Sequence, residues 1–191
     1  MQLYYTTTTG YNAIQTNPSR SLGGFKSSTL VINDDFSSLF DDVSIMTVRN
    51  ARPEYRAIIL RNEFMSQVRK VKVSVRNAAD SICRYKIAVE YLVTADKYGT
   101  KKMSNVQSAQ SRPFAAQFVD MLDGVVLDLA ETLNSGQEVG IWICREIDKT
   151  KAREQYDNVC KPDPTDPTGR RYVAVERLTE EAVDIVVDWK G

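Results

Sequence analysis

Residues 68–76 read VRKVKVSVR, and this alternation constrains the chain more than any other feature. A period of two sends Val71, Val73 and Val75 to one face and Lys70, Lys72, Ser74 and Arg76 to the other, which describes a β-strand with one dry and one wet side. The same device runs through CRYKIAVEYLV, where Cys83, Tyr85, Ile87, Val89, Tyr91 and Val93 align on one face of a long predicted strand. Between Glu54 and Asn62 the pattern changes. Tyr55, Arg56, Ala57, Ile58, Ile59 and Leu60 form a run with no polar face of its own, which suits a strand covered on both sides. The polar NEFMSQ that follows is short enough for a hairpin, so this strand and the 68–76 strand are expected to be antiparallel neighbours.

Further strand signals continue the theme. FKSSTLVIN reads as a short edge or linking strand, EVGIWICREI as a strand around Trp142, and AVDIVVDW as one with Val183, Ile185, Val187 and Trp189 on one face. RYVAVERL is a further candidate. In 114–133, FAAQFVDML has the length of two helical turns, while Val125, Leu127 and Leu129 favour a strand in the second half. Of 191 residues, 42% are hydrophobic and 26% charged, enough apolar material for one core. Seven or eight strands with little helix predict a mainly β protein, an antiparallel β-sandwich of immunoglobulin-like or jelly-roll-like kind over residues 25–191. Residues 1–24, rich in Thr, Ser, Asn and Gly, read as an extended N-terminal arm. Two polar excursions interrupt the strands, at about residues 95–113 and 148–171, the second holding a KAREQY segment able to make one helical turn.

The composition argues against several chemistries. There is no histidine, and with it goes the commonest general base near neutral pH and the commonest metal ligand. Neither GxxxxGK[ST] nor GxGxxG occurs, and no Ser-x-x-Lys is present. No enzyme activity and no cofactor are therefore expected. Cys83 and Cys144 lie in apolar runs and read as buried thiols, whereas Cys160 sits in a polar loop. Asp34-Asp35, Asp41-Asp42, Asp163 and Asp166 lack calcium-loop spacing and read as turn formers. Twenty-five basic residues balance 25 acidic ones, so nothing draws the chain over long range to nucleic acid or an anionic membrane. A local basic face of Lys70, Lys72 and Arg76, continued by Arg84 and Lys86, is what solubility and edge protection call for, although it has the form of a phosphate-tracking stripe. Arg56 and Arg61 are expected to pair with Glu54, Glu63 or the acidic corner DDFSSLFDDVS, residues 34–44. The N-terminus has no basic start followed by an apolar run, and no secretory leader or membrane span is expected.

The order GGFKSSTLVINDDFSSLFDDVS, then EYRAIILRN, then VRKVKVSV, with EVGIWICREI later, resembles the layout of virion structural proteins of tailed bacteriophages, particularly those of crAss-like phages. The likeness covers roughly residues 18–147 and is strongest over 39–75. It implies a β-sandwich subunit of the portal-proximal head–tail connector or tail, where small ring proteins stack below the portal. Homo-oligomers, contact with other ring, portal or tail proteins, and location in the virion after assembly in the host cytoplasm all follow from the resemblance. So does the possibility of a lumen face near DNA. The tract from Asp148 to Arg171 departs from the compact version of the pattern.

On this reading Phe40, Asp41, Asp42, Tyr55, Arg56, Asn62 and Trp142 are scaffold, the acidic corner fastening a central strand. The interface candidates are Tyr4, Tyr5, Tyr11, Tyr98, Lys101, Lys102, Tyr156, Arg170 and Arg171. The alternative function is a carbohydrate- or receptor-binding sandwich, for which Tyr4, Tyr5, Tyr11, Tyr98 and Tyr156 are the candidate contacts.

Overall fold

The computed structural model describes residues 1–31, 39–41, 43, 48, 51–76, 81–92, 94–95, 99–114, 116–159, 168 and 184–191. Asp34, Asp35, Asp42, Val93, Tyr98, Cys160, Asp163, Asp166, Arg170, Arg171, Val183 and the RYVAVERL segment lie outside the described residues. The strands are β1 Gln2–Thr7, β2 Phe25–Leu30, β3 Glu54–Arg61, β4 Val68–Arg76, β5 Cys83–Glu90, β6 Thr94–Ala95, β7 Lys101–Lys102, β8 Val119–Met121, β9 Val126–Leu133, β10 Glu138–Ile147 and β11 Asp184–Lys190. A short 3₁₀ helix, Pro18–Arg20, and one α-helix, α1 Lys149–Val159, complete the described elements.

Two antiparallel sheets pack face to face, as in a β-sandwich. The large sheet has the order β2-β1-β3-β10-β5-β8 and the small one β11-β4-β9, while β6 and β7 form a two-stranded ribbon. The dry face predicted for 68–76 is found. Val71, Val73 and Val75 of β4 are buried against Ile58, Leu60, Ile87, Ile141 and Ile143 of the large sheet, with Leu129 and Ile185 beside them. The consecutive apolar run of β3 is explained by a third layer. Tyr55, Ala57 and Ile59, with Ala88, Trp142 and Cys144, point to the other side of the large sheet and are capped there by Leu92 and Met103. A strand paired on both sides and buried on both faces has no position left for a polar side chain without a partner.

The excursion at 95–113 supplies part of that cap. The amide of Met103 bonds the Gly24 carbonyl at 2.8 Å, that of Val106 the Leu22 carbonyl at 3.0 Å, and that of Tyr55 the Ala109 carbonyl at 2.7 Å. Gly23, with φ of +93°, bridges Asn105. A Cβ at Gly23 would run into the Ser104 carbonyl oxygen, so the approach of the two backbones requires glycine there.

Four expectations are corrected. Residues 1–24 are not an arm throughout, since β1 is hydrogen-bonded to both β2 and β3 inside the large sheet. Its threonines suit a pleated strand, and the buried Thr6 hydroxyl is matched by Ser21 Oγ at 3.1 Å and accepts from the Gly23 N–H at 3.0 Å. β3 and β4 are not neighbours. The NEFMSQ corner crosses from the large sheet to the small one, and the Asn134–Gln137 turn between β9 and β10 crosses back. β5 stops at Glu90, and Tyr91, expected on the inward face, is 62% exposed. The single turn expected at KAREQY is the 11-residue helix α1, because Asp148 caps it through its carboxylate to the amides of Thr150 (3.0 Å) and Lys151 (3.3 Å).

Candidate functional site: a tyrosine-lined cleft at the end of the large sheet

β1, β3 and β10 end together where Gln2, Arg61 and Glu138 stand in register. Charged residues at strand ends are cheap to solvate, and here they are fixed to one another. Arg61 Nη1 donates to Glu138 Oε1 at 2.6 Å and to the Tyr11 hydroxyl at 2.7 Å. The Tyr11 hydroxyl donates in turn to Glu138 Oε1 at 2.7 Å. Arg61 Nε lies 3.1 Å from Glu63 Oε1, and the Tyr4 hydroxyl is 2.7 Å from that same oxygen. Lys26 Nζ stands 4.1 Å from the Tyr4 ring centroid and 5.3 Å from that of Tyr11, and donates to Asn12 Oδ1 at 2.6 Å.

The electrostatics follow from this packing. Burial, then the bond to Glu63, pushes the Tyr4 phenol up to about 12. Burial, then the bond to Glu138, does the same for Tyr11. The Tyr4 hydroxyl holds the Glu63 carboxyl below its usual range, and burial lowers the Lys26 ammonium. The cluster is a set of locked donors and acceptors, and both phenols remain protonated across the physiological range.

Beside it opens a cleft of about 460 Å³, bounded by Tyr11, Tyr91, Lys101, Thr132, Gln137 and Glu138 among others. Four segments meet here: the β1–β2 connection through Tyr11, the segment after β5, the ribbon strand β7, and the β9–β10 corner. A second cavity of about 430 Å³ lies by α1, lined by Arg84, Asp120, Asp148 and Lys151 among others. There Arg84 already pairs with Asp148 at 2.8 Å.

The interface candidates are dispersed. Tyr11 and Lys101 share the cleft, but Tyr4 and Tyr5 are buried. Lys102 Nζ sits 5.4 Å from the Phe25 ring. Tyr156 is on α1 with its side chain outside the described residues, and Tyr98, Arg170 and Arg171 lie outside them altogether. Tyr91, Glu138 and Arg61 were not singled out for this site. Tyr91 was hidden by the apparent continuation of the β5 alternation, and Glu138 by being the first residue of a strand whose next seven are buried.

The scaffold residues gather more closely. Arg56 Nε donates to the Leu39 carbonyl at 3.1 Å and Arg145 Nη1 to the Asp41 carbonyl at 2.8 Å, and the two guanidiniums stand 5.1 and 4.7 Å from the centroid of the Phe40 ring. The corner is thus tied to β3 and β10 through its backbone carbonyls, while Arg145 forms the ion pair with Glu54, at 2.7 Å. Arg61 pairs with Glu63 as expected. The supposed basic stripe is split, because β4 and β5 belong to different sheets. Lys72 faces Asp128 at 3.2 Å, and Lys86 faces Glu146 at 2.9 Å.

No protein-family model, curated protein or solved structure matches this chain.

Proposed function

We propose that the chain is a non-enzymatic structural subunit of a tailed-bacteriophage virion, one copy in a ring of the portal-proximal head–tail connector or tail. The resemblance in layout over roughly residues 18–147 motivates the reading. The observation that carries it is an apolar flank. β8 ends the large sheet and β9 ends the small one, the Leu122–Val125 turn joins them, and Val119, Leu122 and Val126 stand exposed along that side, Leu122 at 60% and Val126 at 54%. Edge strands bearing exposed apolar side chains are sites of association.

The opposite flank differs. There the outer edge of β2 is covered by the chain itself, with Asn12 N–H to the Lys26 carbonyl at 2.8 Å and Ser28 N–H to the Ala13 carbonyl at 3.1 Å. Ile14, next in that segment, is 76% exposed. Two unlike flanks suit head-to-tail contacts, and these close into rings when the rotation permits. The sister copies, the portal and the neighbouring tail proteins are the expected partners, in the assembled virion.

The test is the mass in solution, by light scattering, of the chain alone and mixed with the portal protein. A large defined complex in either sample supports the ring. A monomer in both overturns it.

A further inference from the structure

The geometry points to a second role for the cleft beside Tyr11: it is a binding site for a neutral saccharide, with the Tyr91 ring as the platform and the fixed groups around Glu138 as the hydrogen-bonding wall. This does not rest on the ring reading, since the cleft lies within a single copy.

The volume, about 460 Å³, is in the range of small-molecule sites. More telling is the chemistry of the wall. Tyr11 and Thr132 offer hydroxyls, Gln137 an amide, Glu138 a carboxylate and Lys101 an ammonium, so donors and acceptors are interleaved and neither sign of charge prevails. Tyr11 and Glu138 are already paired with each other and with Arg61, but an apolar ligand would desolvate the Thr132 hydroxyl and the Lys101 ammonium and offer neither a hydrogen bond. A multiply charged anion would meet Glu138. Sugar hydroxyls donate and accept at once and can match such a mixed set.

The rings supply the other half. Tyr91 is 62% exposed and Tyr11 39%, and a pyranose presents an apolar face of C–H groups that can lie on an aromatic ring while its hydroxyls reach sideways. At a binding surface a tyrosine ring gives a large contact area at low entropic cost. Preorganisation is also present. Arg61 holds the Glu138 carboxylate at 2.6 Å, and Lys26 stands over the Tyr11 ring, so the wall does not need to be ordered when a ligand arrives.

The experiment is calorimetric titration of the full chain with oligosaccharides of glucose, galactose and mannose, with an oligogalacturonate as the anionic comparison. Two variants accompany it, Tyr91→Ala and Thr132→Val, at exposed positions whose melting temperatures are checked against the parent. We expect saturable binding of at least one neutral series, weakened about tenfold or more by Tyr91→Ala and measurably by Thr132→Val, with melting unchanged. No saturable binding by any neutral series overturns the inference. So does binding that both variants retain in full, or binding confined to the oligogalacturonate.

Discussion

Asn62 is the residue on which the two sheets are joined. It is fully buried, at the end of β3 where the chain leaves the large sheet. Its Nδ2 donates to the carbonyls of Leu133 and Ser66, each at 2.9 Å, and its Oδ1 accepts from the Phe64 amide at 3.0 Å. Its own backbone closes on the other corner, N–H to the Gln137 carbonyl at 3.0 Å and carbonyl from the Gly136 amide at 2.8 Å. One side chain therefore satisfies polar backbone atoms of both crossings. Asn62→Ala would leave those atoms buried without it, and should cost about 2–4 kcal/mol in denaturant unfolding. A loss below about 0.5 kcal/mol would show that water or a neighbour takes over the role. A second residue sets a pH dependence. Burial, and then the Glu146 charge, pushes the Cys144 thiol from its ordinary 9.0 up to about 11. The folded chain thus holds this proton more tightly than the unfolded one. The stability it brings is complete below about pH 9 and is lost as pH rises through about 11, a difference of about 2–3 kcal/mol. Tyr4 and Tyr11, pushed up to about 12, act in the same direction at higher pH. Denaturant midpoints should fall across this window, and a Cys144→Ala chain should fall less. In a Cys160→Ser background, no thiol should react with a disulfide reagent at neutral pH until the protein unfolds, because Cys83 and Cys144 are both buried.

Among the elements, β10 shows how the outer layer is attached. Gly140 stands opposite Glu90 in register, and a Cβ there would lie 2.7 Å from Met103 Cγ, 2.8 Å from its sulfur and 2.9 Å from the Glu90 carbonyl oxygen. The Glu90 backbone is fixed by strand pairing, so Met103 would have to move. Nearby, the Glu90 carboxylate accepts from Trp142 Nε1 at 2.5 Å and from the Ser104 amide at 2.6 Å, so displacing Met103 disturbs the anchor of the whole segment. Gly140→Ala should therefore destabilise by about 1–3 kcal/mol and speed amide exchange at residues 103–106 beyond that of the central strands. Unchanged exchange there would mean that the cap is held by other contacts. These elements also show what could be read from the sequence. β3, β4 and β10 were legible because runs and alternation report burial directly. β1 was not, since Thr6 and Thr7 look like surface residues until Ser21 and the β2 backbone are placed beside them. The sheet change at Asn62 was illegible because a tight hairpin and a crossing corner have the same length, and only the bonds to Leu133 and Gln137 distinguish them. Of the cleft, Tyr11 and Lys101 were found. Tyr91 was missed because alternation cannot say where a strand ends.

At the scale of the molecule, the two flanks give the ring proposal its sharpest form. If copies join head to tail, the β8–β9 flank of one meets the Ile14 side of the next, and each contact uses one surface of each kind. Blocking one flank then leaves the other competent. Leu122→Lys with Val126→Lys blocks the first, and Ile14→Lys the second, at positions exposed enough to keep each monomer folded. Wherever the parent assembles, with or without the portal, either variant alone should be monomeric. Mixed, the two should form one-to-one pairs that cannot grow, since the only intact contact joins the free β8–β9 flank of one to the free Ile14 side of the other. A pair in the mixture and nowhere else is a result that a two-fold dimer cannot give, because there each surface meets its own copy and mixing rescues nothing. Rings formed by either variant alone would instead place the subunit contacts elsewhere on the surface. Monomers in the mixture would separate assembly from this pairing of flanks, even if the parent chain forms rings.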